Sequence, residues 1–323
     1  MSTRGLDRRQ FLTAALAVAM VPGASSGQSS VERLGASTAC LAGLSLLDAI
    51  TELGRLGFGT IEMIAYTGAR HSVGDIPGFA YDRASPAERD LVFKATRRFR
   101  HISAHLPFQE VRLFSSDTAE RRAGLARLQS AMDGLAFLRG EMAVMHLGWP
   151  DKGKRFRDIW QAMVDTLRWL GDFAAKRNLK LGIETMQPDS VRDYTELIAA
   201  TNHASVGAVI DTGHLRGSTD IGLPANRRDT DEARARFNDV LNTLVTSASE
   251  KVFHLHLSDV RRTDWTDHRE IGTGIIDFSR LFATLGKIAF GGLYVLELEE
   301  PDTIGALQRS RTYVEKLARI SAK

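Results

Sequence analysis

The sequence predicts one α/β domain, a closed (β/α)8 barrel over residues 31–323, behind an N-terminal export signal over residues 1–30. Three observations carry that expectation. Eight short apolar runs alternate with amphipathic stretches in one unbroken series, the pattern of parallel strands joined by crossover helices. No Gly-rich phosphate-binding turn follows the first run, so an open doubly wound sheet fits less well. The chain has 323 residues, enough for one barrel or two small domains with a buried core, and no domain boundary interrupts the series.

Taken in order, the chain begins with Asp7-Arg8-Arg9-Gln10-Phe11-Leu12-Thr13 and an apolar stretch over 14–21. That stretch is too short to span ~30 Å of hydrocarbon as a helix. A charged start, a short apolar core and the small residues Ala24-Ser25-Ser26 read as a signal peptide. The adjacent arginines followed by Phe-Leu resemble a twin-arginine signal, with Asp7 departing from the usual Ser or Thr. The twin-arginine export machinery is thus an expected partner and the periplasm the expected location. That route carries folded proteins, so a metal bound in the cytoplasm escapes competition from zinc and copper outside.

The strand-like runs are 34–40, 60–66, 101–105, 142–146, 179–184, 206–211, 252–258 and 293–297. Helical patterns include 45–56, 119–138, 156–176, 231–249 and 304–320. The long irregular stretches 67–86, 215–230 and 260–273 each follow a strand, which puts them at the C-terminal mouth of a barrel, where active sites lie.

Composition is that of a globular protein, 43% hydrophobic and 25% charged. Of the formal charge of +3, two units belong to Arg4, Arg8 and Arg9 against Asp7. The remaining body is nearly neutral and its arginine pairs are scattered among acidic neighbours, so nucleic acid is not favoured as a partner. The single cysteine, Cys40, excludes an intrachain disulfide and is expected to be a small buried hydrophobe.

His105, His146, Glu184, Asp211, His256 and Glu297 each fall at or near the C-terminal end of a different run. In a barrel those ends face one another, and a carboxylate buried there is costly unless paired or bound to a cation. His254 and His256 project to one face by the two-residue strand period; His256, nearer the mouth, is the ligand candidate and His254 the structural one. Asp259 is placed to orient His256. The glycine pair of Ile271-Gly272-Thr273-Gly274, just after His268, allows close backbone approach to a ligand. Two glutamates, an aspartate and a histidine suit one divalent ion, Mn, Co, Mg or Zn. Trp149 and Trp265, near strand-following loops, are candidates for the mouth.

Taken together, Gly182-Ile183-Glu184, Asp211-Thr212-Gly213-His214, His256-Leu257-Ser258-Asp259 and His268 with the glycine loop resemble the xylose isomerase-like TIM barrel superfamily of sugar isomerases and epimerases. That superfamily also holds the endonuclease IV type of abasic-site nuclease. The resemblance implies that Glu184, Asp211, His256 and Glu297 ligate the metal and that Glu184 and Glu297 exchange a substrate proton. It further implies that His105, His146, His214, Arg262 and His268 bind substrate. The implied substrate is a carbohydrate or polyol, turned over by epimerisation, isomerisation or dehydration through an enediolate-type proton transfer. The alternatives are a trinuclear-zinc phosphodiesterase, which the extra histidines favour and Thr266 disfavours because the nuclease has aspartate there, and an inactive exported sugar-binding barrel. A homo-oligomer is compatible with all three.

Overall fold

The structure, a computed structural model, describes residues 32–71, 74–185 and 187–321. The expected signal segment, Arg8 and Arg9 included, lies outside the described residues. Eight parallel strands close into a barrel: β1 (Leu34–Ser37), β2 (Thr60–Ile64), β3 (His101–His105), β4 (Met142–Met145), β5 (Lys180–Glu184), β6 (Val206–Asp211), β7 (Val252–Leu257) and β8 (Leu293–Leu296). Each pairs in parallel with its sequence neighbours, and β8 returns to β1. Eight helices alternate with them: α1 (Leu46–Arg55), α2 (Pro86–Thr96), α3 (Thr118–Phe137), α4 (Trp160–Ala175), α5 (Val191–Thr201), α6 (Asp231–Ala248), α7 (Phe278–Lys287) and α8 (Thr303–Ser321). Among the described residues no helix is long and apolar enough to cross a membrane.

The helices start where side chains can satisfy their free N–H groups. Ser45, Ser85, Asp117, Ser190, Thr230 and Asp277 each accept a backbone N–H at an N-terminus, and Ser85 with Glu88 forms a reciprocal capping box. Apolar helix faces pack on the outward strand residues, with Leu128, Leu167, Leu197, Phe237 and Phe282 all buried. Each such side chain contributes about 1.5–3 kcal/mol relative to exposure.

A separate cluster, Met142, Val144, Val209 and Leu293, fills the inside of the barrel. Gly182 belongs to this layer because a Cβ there would sit 2.2 Å from Val209 Cγ2 and 2.3 Å from Met142 Cε. The apolar layer plugs the bottom, so polar side chains one step higher face only the mouth.

Two expected elements end differently. The first strand stops at Ser37, and Thr38–Leu41 form a 3-10 turn. Thr38 Oγ1 donates to Pro77 O, bending the chain away, and Cys40 lodges against β8, its Sγ donating to Leu296 O and accepting from Leu298 N. The stretch 156–176 splits into a 3-10 turn, Phe156–Ile159, and α4, with Ile159 leaving helical geometry at φ −117. The stretch 67–86 carries a small antiparallel pair, Arg70–His71 with Gly74–Asp75.

Candidate metal centre

Glu184 ends β5, Asp211 ends β6, His256 lies in β7 and Glu297 directly follows β8. Strand register fixes their height: Glu184 pairs with Val209 and Asp211 with His256. One donor atom from each of the four lies within 4.8 Å of the other three, and all four residues are buried. Thus the barrel brings together residues far apart in sequence.

Glu184 is the hub. Its Oε2 lies 3.1 Å from His105 Nε2 and 3.3 Å from His146 Nε2; its Oε1 lies 3.0 Å from His256 Nδ1 and 3.2 Å from His214 Nδ1. His256 Nδ1 also stands 3.4 Å from Glu297 Oε2 and 3.9 Å from Asp211 Oδ2. Around the rim the rings of His105, His146, His214 and His268 follow one another at 5.1, 5.7 and 5.3 Å. His268 Nδ1 is 3.0 Å from Glu299 Oε1. These four histidines and Glu297 line a cavity of about 470 Å3 above the cluster.

Beneath the cluster lies Glu62, to which the sequence reading gave no role. It is fully buried in β2, with Oε1 3.0 Å from His256 Nε2, Oε2 3.1 Å from His254 Nε2, and Ser103 Oγ donating to Oε2 at 2.9 Å. The contact to His256 is close without hydrogen-bond alignment. It still makes Nε2 the nitrogen that faces negative charge from below, leaving Nδ1 toward the three upper carboxylates. The signal was present: Glu62 is the acidic residue inside a strand run rather than at its end, opposite two histidines of one face. His71 was also missed; it lines the cavity and stands 3.3 Å from Glu299.

Electrostatics separate the two glutamates. Burial opposes ionisation of Glu184, but the charge of His256 and hydrogen bonds from His105 and His214 outweigh it, holding the carboxyl well below its ordinary range. Burial wins at Glu297, where His256 offsets it only in part while Glu184 and Glu62 add repulsion, and its pKa rises. Burial likewise works against a charged His256, yet Glu297, Glu62 and Glu184 raise its pKa well above the ordinary value. Burial pushes His146 down to about 3 and keeps that ring neutral.

Four expectations are corrected. Arg262 does not reach the cavity: its guanidinium is half exposed and held by Asp229 at 2.6 Å and Asp231 at 3.3 Å. Asp259 does not orient His256; it accepts the backbone N–H groups of Val260, Gly272, Gly274 and Ile276 at 2.8–3.1 Å. Gly274 is required because a Cβ would lie 2.1 Å from Val260 O, so these glycines let backbone close on Asp259 rather than on a ligand. Trp265 is fully buried, donating to Arg228 O, whereas Trp149 is exposed and lines the cavity.

The residues fit a divalent cation. Glu62, Glu184, Asp211 and Glu297 are buried together, and Asp211 Oδ2 has no hydrogen-bond partner although it points into the convergence. Such an oxygen is costly to bury without a cation. Two smaller triads flank the main group: His105 with His146 and Glu184, and Asp211 with His214 and His268. Each borrows a carboxylate from the main group. Asp267 is turned away to Arg216, and the Thr266 hydroxyl accepts from Arg261.

The fold and this centre define a closed α/β barrel with a histidine–carboxylate cluster at its C-terminal mouth. A family model described as xylose isomerase-like TIM barrel matches residues 50–322, and the chain belongs to that family. Among curated relatives, an uncharacterized protein of Methanocaldococcus jannaschii is 23% identical over 226 residues, 66% of this chain and 70% of that protein. An inosose dehydratase of Geobacillus thermodenitrificans is 26% identical over 169 residues, 45% of this chain and 49% of that protein. Among solved structures, a D-tagatose 3-epimerase-like protein superposes with TM-score 0.68 at 17% identity, covering 90% of this chain and 98% of that one. An L-ribulose 3-epimerase gives TM-score 0.66 at 15% identity, covering 90% and 95%.

Proposed function

We propose that the protein is a metal-dependent sugar or polyol isomerase or epimerase, with related dehydratase chemistry open to the same site. The observation that carries this reading is the convergence of Glu184, Asp211, His256 and Glu297 donor atoms within 4.8 Å at the base of a cavity. Its support is the likeness to sugar epimerases in fold and to an inosose dehydratase in sequence.

In this reading the four residues hold one Mn, Co, Mg or Zn ion. The ion supplies Lewis acidity, lowering the pKa of a C–H between a carbonyl and a hydroxyl. Glu184 acts as the base that takes the proton and Glu297 as the acid that returns one. His105, His146, His214 and His268, on the cavity wall, orient the hydroxyls. The barrel floor keeps water from below, so proton exchange is confined to the mouth side.

Glu184→Gln and Glu297→Gln test the assignment through metal content and solvent-deuterium incorporation into sugar substrates. Both variants are expected to lose exchange at least a hundredfold; exchange at the unaltered rate in both contradicts the acid–base roles. A second reading, a multinuclear zinc hydrolase, is favoured by the two flanking triads, and predicts about three zinc ions per chain and cleavage at abasic sites. Export through the twin-arginine route belongs to the same proposal, resting on Arg8-Arg9. Replacing both by lysine is expected to leave the protein in the cytoplasmic fraction, and unchanged periplasmic recovery contradicts export by that route.

A further inference from the structure

The cavity over the cluster is about 470 Å3. That size lies within the ~300–1,000 Å3 range of small-molecule pockets, which admits a ligand larger than a free hexose of ~12 non-hydrogen atoms. The surplus has a defined chemistry. Phe108 and Trp149 are held at the rim 42% and 62% exposed, and Tyr66 meets Phe108 edge-on at 5.9 Å. The Phe108 ring lies 5.0 Å from that of His146, itself 3.3 Å from Glu184, so the aromatic shelf begins one ring away from the centre. Trp149 is not loose: its ring packs on Phe156 at 5.3 Å, and the preceding Gly148, at φ +80, donates its N–H to Gln187 Oε1. Phe108 and Trp149 both line the cavity and so offer a bound ligand apolar ring surface beside the histidine wall.

Charge restricts the ligand further. Among the described residues lining the cavity there is no Lys or Arg, while Glu297 and Glu299 both face it. Arg262 is committed to Asp229 and Asp231. A phosphorylated sugar or a sugar acid would find no lysine or arginine there to pair with its anionic group, which would have to share the cation and the histidines with the carboxylates of Glu297 and Glu299.

We propose that the substrate is a neutral glycoside with an aromatic aglycone, its sugar ring on the histidine wall and its aglycone on the Phe108–Trp149 shelf. This rests on the sugar-directed reading above. Because an aglycone blocks ring opening, the carbonyl that proton transfer requires is a ring ketone, so an oxidation of a ring hydroxyl must supply the substrate.

The test is calorimetric binding to the metal-loaded protein of matched 4-nitrophenyl and methyl glycosides of glucose, galactose and xylose, with glucose 1-phosphate and free ketoses alongside. In at least one pair the aryl member is expected to bind at least tenfold tighter, about 1.4 kcal/mol, and Trp149→Ala and Phe108→Ala are each expected to bring that ratio near one. Equal affinities in every pair, a preference that survives both substitutions, or glucose 1-phosphate binding as tightly as the aryl glycoside overturns the inference. If free ketoses bind or exchange deuterium and no glycoside binds, the inference falls and the proton-transfer reading stands. If no sugar binds at all, both fall.

Discussion

Glu62→Gln isolates the role of the barrel floor. Glu62 is fully buried, 3.0 Å from His256 Nε2, and its other oxygen accepts from Ser103 at 2.9 Å. Gln keeps the size and removes the charge that makes His256 present Nδ1 to the other ligands. Replacing a carboxylate behind a ligand histidine lowers metal affinity about 10–100-fold, or about 1.4–2.8 kcal/mol. The assay is competition with a chelating indicator, backed by circular dichroism and thermal melting to establish that the variant is folded. Ser103→Ala, which removes only the hydroxyl restraining Glu62, is expected to lose less than tenfold. A folded Glu62→Gln protein within twofold of the unaltered affinity would refute the reasoning.

Asp259→Ala removes the acceptor of four backbone N–H groups; it is expected to cost about 3 kcal/mol in urea unfolding, at 1.5–3 kcal/mol per charged hydrogen bond with partial rehydration. If metal affinity falls while stability holds, Asp259 serves His256 after all. Gly182→Ala forces a methyl against Val209 and Met142, an overpacking cost of about 1–3 kcal/mol that differential scanning calorimetry reads as a lowered Tm. Because neighbouring carboxylates raise His256 well above its ordinary pKa in the metal-free protein, neutral-pH metal binding must displace its proton. Affinity therefore falls as pH drops below that raised pKa, and calorimetry in buffers of different ionisation enthalpy should count about one proton released; no release, or tighter binding at lower pH, contradicts the electrostatic description.

The barrel was legible because its signals are local and periodic. Apolar runs and caps such as Ser45, Ser85 and Thr230 mark elements without knowledge of tertiary contacts. Glu184, Asp211, His256 and Glu297 were legible because polar residues ending apolar strands must meet in a closed barrel. Side-chain direction within loops was not. Arg262 and Asp259 each follow β7 within a few residues, yet one turns out to Asp229 and the other closes a backbone ring. Trp265 reads as a mouth residue by position, but its φ of +58 and its packing against Phe237 turn it inward. Glu62 escaped because its partners lie almost 200 residues away, on the opposite side of the barrel interior.

The central claim is that one cation sits among Glu184, Asp211, His256 and Glu297, and the flanking triads make the competing counts concrete. Elemental analysis of protein purified without added metal is the direct measurement. The account predicts about one Mn, Co, Mg or Zn ion per chain; about three zinc ions, or none that the protein retains or rebinds, would contradict it.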